Sequence, residues 1–511
     1  MTGTVDDAHL AELGYRPSLH RSVGRFGSFA AGVSYISILT GTFQLFYFGF
    51  GTGGPAYWWS WPMVFAGQLM VALCFAELAA HYPYAGSVYN WSKRLGSATT
   101  SWLAGWTMLI ASVVSLAAVA LAYQLTLPQV WSGFQVVGDG TGPDDVAVNA
   151  VLLASVLIAF STVVNAYGVT LMSRLNSIGV VVELVAAVLL VVLLAVNVRR
   201  GPGVLLETAG TEGRSSGYVG AFLVAALASG YVMYGFDTAS SLGEETRDPR
   251  RTAPRSILTA LGASFLLGGA ILALAIMAAP DLTDERLGLS SGGLQLIVLQ
   301  ALGSELGKAF LICVVLAITI CALAVHAATI RIVFAMARDN NLPGGSLLAR
   351  VHPVRRTPVA PAVAVGVLAV LILVVNIGQP QIFTVVTSIA IILVYLAYLL
   401  VTGPMLLARL RGQWPPPTRP RTFSLGRAGL AVNALAVAWG AGFAVNLGWP
   451  RAEVYNATEP HHWYLQYGAP LAISVVLLGG LALYRLRQRH RTGVLPEHAV
   501  QAQTAGTTGP S

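Results

Sequence analysis

Charged side chains are scarce in this sequence: Asp, Glu, Lys and Arg together supply only 10% of 511 residues, while 55% are hydrophobic. A water-soluble chain of this length has no interior large enough for that much apolar surface, so the composition excludes a soluble enzyme or binding module. Cysteine is nearly absent. Cys74, Cys313 and Cys321 all fall in apolar stretches, and an odd count offers no disulfide framework, so they read as packing residues. The first 25 residues hold no apolar run long enough for a signal sequence, which makes the first long apolar segment the first insertion signal. There is no GlyXXXXGlyLys phosphate cradle, no zinc spacing of Cys and His, and no Ser, His and Asp arrangement pointing to hydrolysis. An ATP-driven pump and a membrane metalloenzyme are therefore not indicated; no covalent chemistry, cofactor or metal is expected.

What is present is a succession of apolar stretches of about 20 residues, the length that crosses a bilayer core. The sequence predicts an all-α integral membrane protein with about twelve transmembrane helices. The candidate spans cover residues 26–50, 57–80, 101–127, 146–166, 175–197, 217–242, 255–279, 306–336, 358–376, 381–403, 428–447 and 464–484. An even number puts both termini on one face. With the tails on that face, it collects most of the 30 Lys and Arg residues, and only Arg199, Arg200, Arg214, Arg286, Lys308 and Arg451 fall on the other. The positive-inside rule makes the crowded face cytoplasmic, with both termini there and the cell membrane as the location. The net charge of +8 is then explained by topology and anionic headgroups rather than by nucleic acid.

Aromatic clusters at predicted span ends read as interfacial anchors: Tyr57, Trp58, Trp59 and Trp61, then Trp102 and Trp106, then His461, His462, Trp463 and Tyr464. Gly138 to Asp145 and the proline-rich Trp414 to Pro420 read as connections, and the tail from Leu495 to Ser511 as disordered.

Two of the apolar stretches contain interruptions. One falls near Ser37 to Thr42, and the other runs into a charged cluster from Tyr234 to Arg251. A broken helix at bilayer depth is tolerated only where its freed backbone groups face protein or a watery cavity. Paired interruptions in two halves of a chain mark the binding site of a secondary transporter.

Four further strings occur in order. They are GlyGlyProAlaTyrTrpTrpSerTrp from Gly53, AlaGluLeuAlaAlaHisTyrProTyrAlaGlySerValTyrAsnTrp from Ala76, the block from Gly235 to Arg251, and ArgIleValPheAlaMetAlaArgAspAsnAsnLeuPro from Arg331. In this series the chain resembles the amino acid, polyamine and organocation permeases, and within them the amino acid/choline branch. The resemblance runs from about Phe26 to beyond Gly403. It implies a LeuT-type fold of two inverted five-helix repeats, residues 26–197 and 217–403, with broken helices 1 and 6. Residues 428–484 form two peripheral helices, and 1–25 and 485–511 are cytoplasmic tails, the latter without fixed structure.

In proteins of this type the substrate lies between the breaks. The resemblance places Ser37, Ile38, Thr40, Gly41 and Thr42 of span 1 with Tyr234, Gly235, Phe236 and Asp237 of span 6 around it. A half-helix N-terminus at Thr40 to Thr42 offers unpaired amides and a partial positive charge suited to a carboxylate. Glycine at 41 and 235 lets the backbone leave helical geometry. Tyr234 and Phe236 suit an apolar group or the face toward an ammonium.

The intramembrane acids are the candidates for coupling. Glu183 lies about 12 Å into span 5, counting about 1.5 Å per residue from Leu175. An ionised carboxylate there is costly unless paired, hydrated or protonated. It falls where several relatives of the wider family carry a lysine thought to replace a sodium ion, a departure that argues against lysine-based coupling. Glu183 and Asp237 are read as proton-coupling residues or partners of a substrate ammonium. Their structural alternatives are a neutral carboxyl satisfied by a neighbouring helix and a cap on the second half of span 6. Glu77, Glu244 and Glu245 are expected to be held by loop arginines and to form a cytoplasmic gate. His326 reads first as a hydrogen-bonded packing residue, with protonation as its alternative use.

The expectation is a permease importing an amino acid or small amine, such as γ-aminobutyrate, choline or an ethanolamine-like amine, by alternating access. Proton coupling is favoured; sodium symport and exchange stay open. A membrane nutrient sensor is disfavoured by the short tails, and a channel by the two breaks.

Overall fold

The computed structural model describes residues 23–83, 85–140, 142–211, 217–355, 357–375, 377, 382–416, 423–452 and 461–499. Arg16, Arg21, Arg214, Arg419 and Arg421, with the extreme tails, lie outside them. Among the described residues, ten helices are long and apolar enough to cross a membrane. Gly217–Val232 and Val359–Val375 are shorter and stand where spans 6 and 9 are expected. The longest, Ala98–Val130 (span 3) and Ser304–Arg338 (span 8), run 33 and 35 residues. At about 1.5 Å per residue each exceeds the hydrocarbon thickness.

Polarity is arranged inside out relative to a soluble protein. Along span 5 (Val169–Val196), Ile178, Val181, Val185, Val188 and Val192 are exposed at helical spacing. The opposite stripe of Val180, Ala187, Leu190 and Leu194 is buried, and Glu183 within it is 1% exposed. One side of this helix suits lipid, and the other carries an acid into the bundle.

Span 3 is the central post, packed along span 8 and span 10 (Ile382–Leu410). The second half of span 1 lies along the first half of span 6, and span 2 (Ser60–His81) packs on span 7 (Pro249–Ala278). Span 11 (Gly429–Gly448) covers spans 2 and 10, and span 12 (Gly468–Leu486) leans on span 3. Small residues allow the close approaches: a Cβ at Gly67 of span 2 would enter the Trp439 ring of span 11.

Span ends meet as the alternating topology requires. On the arginine-rich face, the Val23 amide donates to Glu245 O at 2.9 Å and the Arg247 amide to Val23 O at 3.0 Å. On the opposite face, the Arg199 and Arg200 amides donate to Met277 O, and the Ala56 amide to Glu207 O.

Two readings of the sequence change. Tyr57, Trp61 and Trp102 are buried inside the protein rather than at a headgroup boundary. Trp61 and Trp102 donate their indole N–H groups to Phe265 O and Asn341 O. Trp59, His461, Trp463 and Tyr464 are the exposed members of their clusters. The final segment is also structured as far as residue 499. The Gly493 and Leu495 amides bond to Asp339 O and Arg338 O, and the His498 ring bonds to Ala349 O and packs edge-on against Phe334. Residues 500–511 lie outside the described residues.

Candidate functional site

The break in span 1 is one residue wide. Helix Arg25–Ile36 ends at Ser37, whose φ of 40° lies in the left-handed region, and a new helix, Ile38–Gly53, begins at once. The Ser37 hydroxyl donates to Glu183 Oε1 at 2.8 Å and shares a 2.6 Å hydrogen bond with Thr40 Oγ1. The Leu39 amide donates to the same Glu183 oxygen at 3.2 Å, with the Ile38 amide beside it. Span 5 thus delivers its one buried acid to the N-terminus of the second half-helix, where the dipole favours negative charge. Thr42 turns away: its hydroxyl donates back to Ile38 O at 2.6 Å. Gly41 packs against Val232 and retains a helical bond to Ser37 O. The interruption therefore does not extend to Thr42.

The break in span 6 is wider. Helix Gly217–Val232 stops, and a single turn, Thr238–Ser241, follows. Gly235 adopts φ +87°, and a Cβ there would run into the Tyr35 ring. Its amide donates to Tyr398 Oη at 3.0 Å, and that hydroxyl donates to Asp237 Oδ1 at 2.6 Å. Ser87 Oγ donates to Asp237 Oδ2 at 3.0 Å. Asp237 makes no cap to its own turn, so the capping alternative is not realised. Gly235→Ala is expected to lower the thermal midpoint of purified protein and to weaken ligand binding. The left-handed backbone and the displaced ring together cost about 2 kcal/mol or more; an unchanged midpoint would mean that the ring moves aside freely.

Aromatic rings fill the space around the breaks. Tyr35 and Tyr231 stand edge-on to Tyr234, with centroids 6.0 and 5.9 Å away. Tyr234 Oη lies 3.1 Å from Ser115 Oγ, and Phe236 packs on Phe75 and Tyr398. Tyr35, Ser87, Ser115 and Tyr398 escaped sequence reasoning. Ser87 lies within a quoted string, whereas Tyr398 is 161 positions from its partner Asp237 and carries no local signal.

The acids divide into two sets. Glu183 and Asp237 are each 1% exposed, and neither has a Lys, Arg or His partner among the described residues. The acids near the arginine-rich face are paired. Arg338 binds Glu244 through two 3.1 Å hydrogen bonds, Arg331 binds Glu245 at 3.0 Å, and Lys93 binds Asp339 at 2.5 Å. Glu77 takes Arg409, the Trp414 indole at 2.9 Å, Ser424 Oγ at 3.2 Å and the Leu425 amide at 2.9 Å. Arg338 and Arg409 belong to the last turns of spans 8 and 10, and Arg331 lies inside span 8 about two turns before its end, rather than in loops, which fixes their direction. His326 has both ring nitrogens engaged, with Ser161 Oγ and Ala362 O each at 3.0 Å, the packing arrangement.

Ten membrane-length helices among the described residues, two broken helices facing each other and acids buried at the breaks define a multi-pass membrane transporter for small solutes. Residues 23–476 match the amino acid permease family, and the chain belongs to it. It is 27% identical over 515 aligned residues to the amino-acid permease BAT1 homolog of Oryza sativa subsp. japonica, a match covering 96% of this chain and 95% of that one. It is 28% identical over 392 residues to the methylthioribose transporter of Bacillus subtilis, covering 74% and 82%. The crystal structure of MhsT in complex with L-phenylalanine aligns with a TM-score of 0.55 at 16% identity, covering 90% of this chain and 99% of that one. At that identity the likeness shows the LeuT-type fold alone.

Proposed function

We propose that this permease imports an amino acid or small amine across the cell membrane by alternating access, with proton coupling through Glu183 and Asp237. The reading rests on one observation: the carboxyls at both helix breaks are buried and lack a basic partner among the described residues. An isolated carboxylate at bilayer depth costs several kcal/mol, so each group needs a proton or a cation. A proton, a sodium ion and a substrate ammonium are species that a permease cycle can bring and remove, and the proton is the reading favoured here.

The arginine-rich face is assigned to the cytoplasm, with both termini there. The site is closed on that side by the Val23 pairing with Glu245 and Arg247 and by the Arg338–Glu244 and Arg331–Glu245 pairs. Opening inward parts these contacts, and Glu244 and Glu245 act as the gate. Glu77 braces the scaffold beside them.

The test is uptake of labelled amino acids and amines into proteoliposomes under imposed proton or sodium gradients. A proton gradient is expected to drive accumulation, and Glu183→Gln to flatten the dependence of uptake on pH while the protein stays folded. An unchanged pH profile in that variant removes Glu183 from coupling. Accumulation driven by sodium alone, or only by counter-solute, assigns symport with sodium or exchange instead.

A further inference from the structure

We infer that Glu183 is a specificity-determining residue: its carboxylate occupies the amide end that a substrate carboxylate would need, so the cargo is a cationic amine without a carboxylate. The inference rests on the proposed site between the two breaks and goes on to name its substrate class.

It follows from a count of donors. At the start of the outer half of span 1, the Leu39 amide is bonded to Glu183 Oε1 and the Ile38 amide lies beside the same carboxyl. The Thr40 amide is taken by Ser37 Oγ at 3.4 Å and the Gly41 amide by Ser37 O at 3.0 Å. Each amide of that first turn thus has an acceptor supplied by the chain itself. At the other break, the Gly235 amide is held by Tyr398 Oη, and the charge nearby is the Asp237 carboxylate. A zwitterion placed here would set its carboxylate against two acids, with no arginine, lysine or histidine among the described residues bonded to either break.

Acceptors, by contrast, are open. Glu183 Oε2 is buried and has no hydrogen-bond partner among the described residues. The rings of Tyr35, Tyr231 and Tyr234 stand together beside the breaks and offer π faces to an ammonium group. A carboxylate at each break and aromatic rings beside them suit a small organic cation. For an amino acid to bind through its carboxylate, Glu183 would first have to leave Ser37 and Leu39.

The test compares ligands that differ only by a carboxylate, on the purified full-length protein: ornithine against putrescine, lysine against cadaverine, γ-aminobutyrate against propylamine. The amine of each pair is expected to bind tighter by about tenfold or more, the equivalent of one charge-assisted hydrogen bond. Glu183→Ala frees the amides and is expected to invert the preference, with the carboxylated member gaining and the amine losing affinity. Glu183→Gln keeps an oxygen on the amides without the charge, and is expected to weaken amines without admitting the carboxylated members. It carries the test if the alanine variant does not fold. Equal or tighter binding of the carboxylated members to the unaltered protein overturns the inference and leaves the permease reading standing. Binding of no ligand in any pair takes away the site reading, and the inference with it.

Discussion

Replacing Arg338 with alanine is expected to lower the thermal midpoint of the purified protein more than removing Arg338 and Glu244 together. The Arg338 side chain is 0% exposed, holds Glu244 through two nitrogens, and stacks over Phe334 with its guanidinium carbon 5.4 Å from the ring centre. Glu244 also accepts the Ala85 amide at 3.1 Å. Deleting the arginine leaves an anion buried without its counter-charge, a loss of about 3–5 kcal/mol. The double variant removes both charges and recovers part of that loss. A thermal-shift series of the two single variants and the double variant reads the coupling directly. If Arg338→Ala costs no more than the double variant, Glu244 has another partner and the inner closure is not held by this pair. Lys93, whose side chain is 37% exposed, gives the contrast: its pair with Asp339 is solvent-screened at one end, and its removal is expected to cost far less.

Asp237→Asn is expected to reduce uptake about a hundredfold while leaving the midpoint near that of the unaltered protein. Asparagine has the same shape, its oxygen still accepts from Tyr398, and its amide nitrogen can donate to Ser87. What disappears is the charge at the break, and the loss of a buried charge partner for a ligand or proton corresponds to about 3 kcal/mol, roughly a hundredfold. Uptake and thermal shift measured on the same preparation separate the two effects. Uptake within about threefold of normal would show that neither cargo nor proton depends on this carboxylate. Tyr398→Phe provides a graded companion. It strips the donor from Asp237 Oδ1 and the acceptor from the Gly235 amide, and is expected to weaken both binding and fold.

The helices were legible because a bilayer imposes one length and one polarity, and the two interruptions because Gly235 and Asp237, like Ser37, are out of place in an apolar run. The extent of the first break was not. A threonine in such a run can leave the helix or bond back to its own backbone, and Thr42 does the latter; nothing in the local string distinguishes the two. The depth of Glu183 followed from counting residues. Its partners did not, because Ser37 and Leu39 lie 146 and 144 positions away and only the packing of span 5 on span 1 joins them. The indoles of Trp61 and Trp102 were misplaced for a related reason. An aromatic near a span end looks the same in sequence whether its N–H meets a headgroup or a carbonyl of the next helix, and here it meets Phe265 O and Asn341 O. The sign of the partners of Glu244 and Glu245 was readable from charge alone, but the place of Arg338 and Arg331 inside span 8 needed the structure.

Neither Glu183 nor Asp237 bonds to spans 11 and 12 among the described residues, yet Glu77 ties the chain that leads into span 11 to the rest of the bundle. Two of the four donors on its buried carboxylate, the Leu425 amide and the Ser424 hydroxyl, belong to the stretch that enters span 11. A ten-helix version cut from this sequence after span 10 would keep Arg409 on that carboxylate but lose its Trp414, Ser424 and Leu425 donors, so the cost of shortening this protein falls on span 2 as well as on the helices removed.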